Sequence, residues 1–247
     1  MNWDQAIAAI SPHVVKIETP TGYGTGFLAN HDKTWCGIAT AAHVVSYADE
    51  WQQPIRIKHE GSAEPLFLKP EERVIFIERS TDSAVVLFLK RQLQLPESPI
   101  ALLPMDQPCP IGVDIGWLGF PVIEPDTLVF FAGIVSARQA NRKAYLIDGV
   151  AINGVSGGPV FHYPNPDVVQ VIGCVSAYHA NRATGETLPG LLRAQDVSHF
   201  HEVTKWIRDL DEATAKKREF EAAQAQELPA GTETASDPSG AAPEISN

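Results

Sequence analysis

Residues 13–178 hold roughly eleven short runs of β-branched and aromatic residues, and no long helical pattern separates them. The runs cover 13–18, 24–29, 36–42, 55–59, 73–78, 83–89, 113–120, 128–137, 143–149, 159–163 and 168–178, with Pro, Gly, Asn or Asp between them. Parallel neighbours need a long crossover, usually a helix, between consecutive strands. With no helices to spare, the chain is expected to be all-β, built from antiparallel sandwiches or barrels. Helical periodicity is confined to the ends. One short helix is expected near residues 3–9. A second begins near residue 197, where Val203, Trp206, Ile207 and Leu210 fall at i, i+3, i+4 and i+7. That apolar stripe is expected to dock on the β-structure. A polar helical extension should cover 211–226. The stretch 227–247, rich in Pro, Gly, Ala, Ser and Glu, should be a disordered tail.

Composition narrows the function. The net charge is −11, and the densest basic run is only Lys216-Lys217-Arg218. Nucleic acids and anionic membranes are held by clustered Lys and Arg, so neither is an expected partner. Cys36, Cys109 and Cys174 are odd in number and far apart in sequence. They suggest neither a disulfide framework nor a metal pair, and no metal or cofactor is implied. Asp4 stands where a secretion signal would be basic, and no apolar run is long enough for a membrane span. A cytoplasmic setting is the expectation.

The string "GVSGGP" at 154–159 sets one serine among three glycines and a proline. A serine hydroxyl is a weak nucleophile unless a base, a group orienting that base and oxyanion donors converge on it. The glycines free the backbone to aim the Gly154 and Ser156 amides at one point. Of eight histidines, only His43 has a distinctive setting, "ATAAHVV", where small alanines allow close packing at a strand end. The orienting carboxylate is best supplied by Asp82, just ahead of the apolar run 83–89. A plain turn or helix-capping role is open to it too. Asp49 and Asp114 compete, the first crowded near His43 and the second within a strand pattern.

In the order His43, Asp82, Ser156 the chain resembles the chymotrypsin-like serine peptidases. It is most similar to the bacterial HtrA/Deg type. "GYGTGFLA" (22–29) is similar to that family's Gly-x-Gly-Ser-Gly-Phe strand. "TAAHVV" resembles its histidine motif and "TDSAVVLFL" its aspartate motif. "AINGVSGGPVF" resembles its serine motif with one residue missing, and Val155 stands where Asn or Asp is usual. The resemblance covers about residues 8–210 and implies two six-stranded antiparallel β-barrels with the triad in the cleft between them. Barrel one would span about 8–95 and barrel two about 108–196, both within a peptidase domain over 1–210. The chain beyond residue 210 is too short for the peptide-binding PDZ domain such proteins usually carry.

The same resemblance implies acyl transfer to Ser156, with His43 as base, Asp82 as its orienter and the Gly154 and Ser156 amides as oxyanion hole. The substrate would be a protein or peptide. Val150 would lie at the base of the P1 pocket, and Ser176, Ala177 and Tyr178 on its wall. Val150 offers no carboxylate, so a small or medium apolar P1 residue is expected. A regulatory protein partner is a further expectation; the oligomeric state is not implied. Two other classes stand beside the peptidase. "GVSGG" also fits the nucleophile elbow of an α/β-hydrolase esterase, but that elbow needs a helix directly after the serine, and Gly157-Gly158-Pro159 precedes a β-run. The other is a trypsin-fold scaffold that is silent or awaits a partner.

Overall fold

The computed structural model describes residues 3–31, 34–150, 152–165, 168–181 and 188–227; side chains at 165, 178–181, 188–190 and 222–227 lie outside that description. Thirteen strands and three α-helices follow in the order α1 (Trp3–Ile10), β1 (Val14–Thr19), β2 (Gly22–His31), β3 (Trp35–Ala41), α2 (Ala42–Glu50), β4 (Ile55–His59), β5 (Leu66–Leu68), β6 (Arg73–Glu78), β7 (Ser83–Leu89), β8 (Asp114–Gly119), β9 (Val129–Gln139), β10 (Ala144–Asp148), β11 (Pro159–Asn165), β12 (Val168–Asn181), β13 (Leu188–Asp196) and α3 (Ser198–Glu227). One compact unit runs through Lys205, and a second begins at Trp206.

The first unit contains two β-halves. In the second half, β10-β13-β12-β11-β8-β9 closes into a six-stranded antiparallel barrel, as expected. Its interior is filled by large side chains; Trp117 is fully buried and stacks on Phe131 at 5.9 Å. The first half departs from the expected closed six-stranded barrel. It is a seven-stranded sheet, β5-β4-β1-β2-β3-β7-β6, whose edges form no ladder. The edge strands β5 and β6 are consecutive in the chain, but β5 has only three residues. The 3-10 turn Pro70–Glu72 then leads the chain away, and Pro70 has no N–H to offer a partner. The Arg73 side chain spans the gap instead. Its guanidinium donates to the carbonyls of Leu68 (2.8 Å), Gln53 (2.6 Å) and Ala48 (3.2 Å). Within the sheet, the alternation that defines a half-buried strand is plain in β4, where Ile55 and Ile57 face the core and Arg56 and Lys58 face outward.

Two strands and one helix were not legible beforehand. β13 pairs with both β10 and β12, so it completes the barrel. Its Leu-Pro-Gly start reads as a turn. β5 is too short to carry a period. α2 hides in the Val44-Val45 pair, which looks like a strand; Ala42, Val45 and Ala48 nonetheless form its buried face.

From Trp206 the second unit is helical to Glu227. The apolar stripe expected along α3 is buried at Val203 but exposed at Trp206 and Leu210. No helix among the described residues is long and apolar enough to cross a membrane. The expected tail lies, from residue 228, outside the described residues.

Candidate active site

His43 is the second residue of α2, not the end of a strand. β3 delivers it: Ala39 and Ala41 are fully buried, and the small side chains let the chain turn directly into the helix. The first amides of a helix have no partner within it, and Ala41, at the N-cap, supplies no side-chain bond. Asp82 supplies the partners from the β6–β7 turn. The Ala42 N–H donates to the Asp82 carbonyl (3.0 Å) and the His43 N–H to Asp82 Oδ1 (3.0 Å). The capping role open to this aspartate in the sequence is therefore real, but it is exercised across 39 residues.

The same carboxylate takes the imidazole. His43 Nδ1 lies 2.9 Å from Asp82 Oδ2, and the ring is half exposed. An ionised carboxylate only accepts, so Nδ1 carries the hydrogen and Nε2 is left as the free base in the neutral ring. Ser176, on β12 of the second half, donates its hydroxyl to Asp82 Oδ2 at 2.6 Å. Burial works to raise the Asp82 pKa; the hydrogen bonds from His43 and Ser176 outweigh it and hold the carboxyl below its ordinary value. Asp82 sits at φ +52°, a left-handed conformation that Asp tolerates better than most side chains.

Ser156 is half-buried on the loop between β10 and β11. Its carbonyl accepts the Thr25 N–H of β2 (2.8 Å), which joins the two halves. Gly157 follows at φ +86°, and a Cβ there would lie 2.1 Å from the Thr25 carbonyl, 2.2 Å from Thr40 Oγ1 and 3.0 Å from the Ala41 nitrogen. Only glycine lets the serine loop sit this close to the strand that delivers His43. Gly157 N–H donates to Val175 O at 2.6 Å, beside Ser176. The structure thus brings His43, Asp82, Ser176 and the Ser156 loop to one cleft between the halves. Among the described residues, no hydrogen bond joins Ser156 Oγ to the His43 ring.

The amides of Gly154 and Ser156 have no acceptor among the described residues. In a planar trans peptide the N–H points opposite to the carbonyl. The Asn153 carbonyl is held by Val122 N–H (2.7 Å) and the Val155 carbonyl by Gly158 N–H (2.9 Å). Both free N–H groups are therefore turned away from these tethers. Val155 itself is fully buried against Gly119, so an apolar contact anchors the loop at the position of the usual Asn or Asp.

Residues 24–169 match the trypsin-like peptidase domain. The chain belongs to the trypsin-like peptidase family. As a trypsin-like peptidase it is a hydrolase of the serine-protease class. Solved structures agree on the fold. The serine endoprotease of Yersinia pestis aligns with a TM-score of 0.61 at 20% identity, over 85% of this chain and 68% of that one. Deg5 aligns with a TM-score of 0.58 at 19% identity, over 79% and 88%. An inactive serine-to-alanine form of Rv3671c from M. tuberculosis H37Rv aligns with a TM-score of 0.55 at 21% identity, over 81% and 88%. No curated protein matches the sequence.

Among the expected pocket residues of this peptidase domain, Val150 is 51% exposed and Ala177 half-buried. Tyr178 lies in β12 opposite Leu192, and its side chain is outside the described residues. Ser176, expected on the pocket wall, donates its side-chain hydroxyl to Asp82. The sequence offered one signal for that: a lone hydroxyl within the apolar run of β12, which in a fully buried strand needs a polar partner.

Proposed function

We propose that the protein is a serine endopeptidase that cleaves protein or peptide substrates through a His43-Asp82-Ser156 triad. The observation carrying the reading is the Asp82 carboxylate, which takes His43 Nδ1–H and the Ser176 hydroxyl together. That arrangement leaves Nε2 of the ring as the base. In the reaction Ser156 Oγ attacks the substrate carbonyl carbon and its proton passes to His43 Nε2. The developing oxyanion accepts from the Gly154 and Ser156 N–H groups. His43 then returns the proton to the departing amine, leaving an ester on Ser156. Water, deprotonated by the same nitrogen, hydrolyses that ester. Val150, with no charge to offer, supports preference for a small or medium apolar P1 side chain.

One observation favours a second reading. With no bond between Ser156 Oγ and the imidazole, the chain would be a scaffold that is silent or that waits for a partner to close the triad. A fluorophosphonate probe separates the two, because it phosphonylates only an activated serine. The peptidase reading expects labelling of the wild type and none of Ser156→Ala. An unlabelled wild type would overturn it in favour of the scaffold. A peptide library then reads the P1 preference.

A further inference from the structure

Thr25 is fully buried in β2, between Gly24 and Gly26, and each of its polar groups is engaged by another segment. Its N–H donates to the Ser156 carbonyl at 2.8 Å. Its hydroxyl lies 2.8 Å from the Gly154 carbonyl and 3.0 Å from the Phe120 nitrogen. Its own carbonyl accepts the Thr40 hydroxyl at 2.7 Å. The direction of the hydroxyl is set by its partners. The Phe120 amide can only donate and the Gly154 carbonyl can only accept, so Thr25 Oγ1 receives from the first and gives to the second.

The carbonyls from Ile152 to Ser156 are all tied: Ile152 by Val155 N–H, Asn153 by Val122 N–H and Val155 by Gly158 N–H, each from the second half. The remaining two, Gly154 and Ser156, are held by Thr25 alone among the described residues. The peptide between Gly154 and Val155 lies between the two free amides. Gly154, at φ +93° and without a side chain, leaves that peptide easy to rotate. A turn of that peptide would change how the Gly154 and Ser156 N–H groups are set relative to one another.

Resting on the peptidase reading above, we propose that Thr25 is a positioning residue for the oxyanion hole. Its hydroxyl locks the Gly154–Val155 peptide so that both donors face one point. Through Thr40, three residues ahead of His43, the same residue sets the nucleophile loop against the strand that delivers the base. Thr25 touches no reacting atom; it acts through Gly154 and Ser156.

The test uses the full chain with Thr25→Val, which keeps the shape and deletes the hydroxyl, and Thr25→Ser, which keeps the hydroxyl and deletes the methyl. Fluorophosphonate labelling rate, kcat and KM on a cleaved peptide, and the thermal midpoint are measured for each. Losing a whole oxyanion donor costs on the order of 10²–10³ in kcat, so disordering its aim should cost Thr25→Val roughly 10- to 100-fold in kcat and labelling rate. KM should stay within about threefold, because the contact matters only in the transition state. Thr25→Ser should label within about threefold of wild type, whatever its thermal midpoint. If Thr25→Val does not fold, Thr25→Ala replaces it against Thr25→Ser with the same expectation. Labelling of a folded hydroxyl-less variant at the wild-type rate overturns the inference alone. So does a Thr25→Ser loss as large as that of the hydroxyl-less variant, which would make packing the cause. An unlabelled wild type overturns the peptidase reading and this inference with it.

Discussion

The two halves of the compact unit contribute different kinds of chemistry. In the closed second half, ladder bonds run all the way round, and beside the Ser156 and Ser176 hydroxyls the site draws on backbone: two amides without an acceptor among the described residues, on a loop whose carbonyls from 152 to 156 are tethered. In the open first half the sheet has two free edges, and the site draws on side chains, an imidazole and a carboxylate. Closure fixes where a main-chain N–H points, which suits a group that must not move during reaction. Side chains tolerate a less regular frame, because local bonds such as the Asp82 contacts can aim them one by one. The same division appears in structural roles, since a side chain, Arg73, spans the seam that a ladder would otherwise close.

The comparison breaks most visibly at the side chains of the open half. In Asp82→Asn an amide N–H2 can face Nδ1 and favour the wrong tautomer, so kcat/KM for peptide hydrolysis should fall by about 10⁴. Steady-state kinetics beside wild type decide this; a loss below tenfold would deny Asp82 its orienting role. A smaller effect comes from three histidines gathered in that half. His13 is buried and its ring stacks with His31, while His59 donates from Nε2 to the Pro12 carbonyl (2.7 Å). Burial, then the nearby His31 and His59, lower the His13 pKa from 6.5 to about 4. The fold therefore holds His13 neutral where the unfolded chain would protonate it. Stability should be intact above about pH 6.5 and fall by up to about 3 kcal/mol as pH drops toward 4. Denaturant melts across that range should show the slope in wild type and lose much of it in His13→Gln. Smallest is a paired comparison of buried polar groups, one in each half. Arg73→Met removes three bonds to carbonyls and should cost about 2 kcal/mol in urea unfolding. Gln195, in the closed barrel, is buried with an Oε1 that finds no partner among the described residues, so Gln195→Leu should stay within about 0.5 kcal/mol of wild type. Equal costs for the two would show that the seam gains nothing from Arg73.

What could be read in advance was local, and what escaped was not. Ser156 announced itself because Gly154 and Gly157 are needed at positive φ within a few residues of it. His43 was singled out by the alanines that let β3 pack tightly. The all-β class came from spacing alone. The open first sheet was not legible, because closure depends on whether two edges find each other in register, and nothing in "LFL" or Pro70 states that. β13 was missed because Pro189 and Gly190 read as a turn, although the strand is secured by neighbours on both sides. Helix α2 was missed for a related reason. Its cap is not in its own sequence.

That borrowed cap has a consequence for how the molecule assembles. A nine-residue helix alone in water is marginal. α2 has no capping side chain of its own, and its first amides find partners when a turn 39 residues downstream arrives. Until β6 and β7 have paired, the chain around residue 43 has little reason to be helical. One carboxylate therefore serves both the start of the helix and the imidazole, so a change that displaces the β6–β7 turn removes both contacts at once.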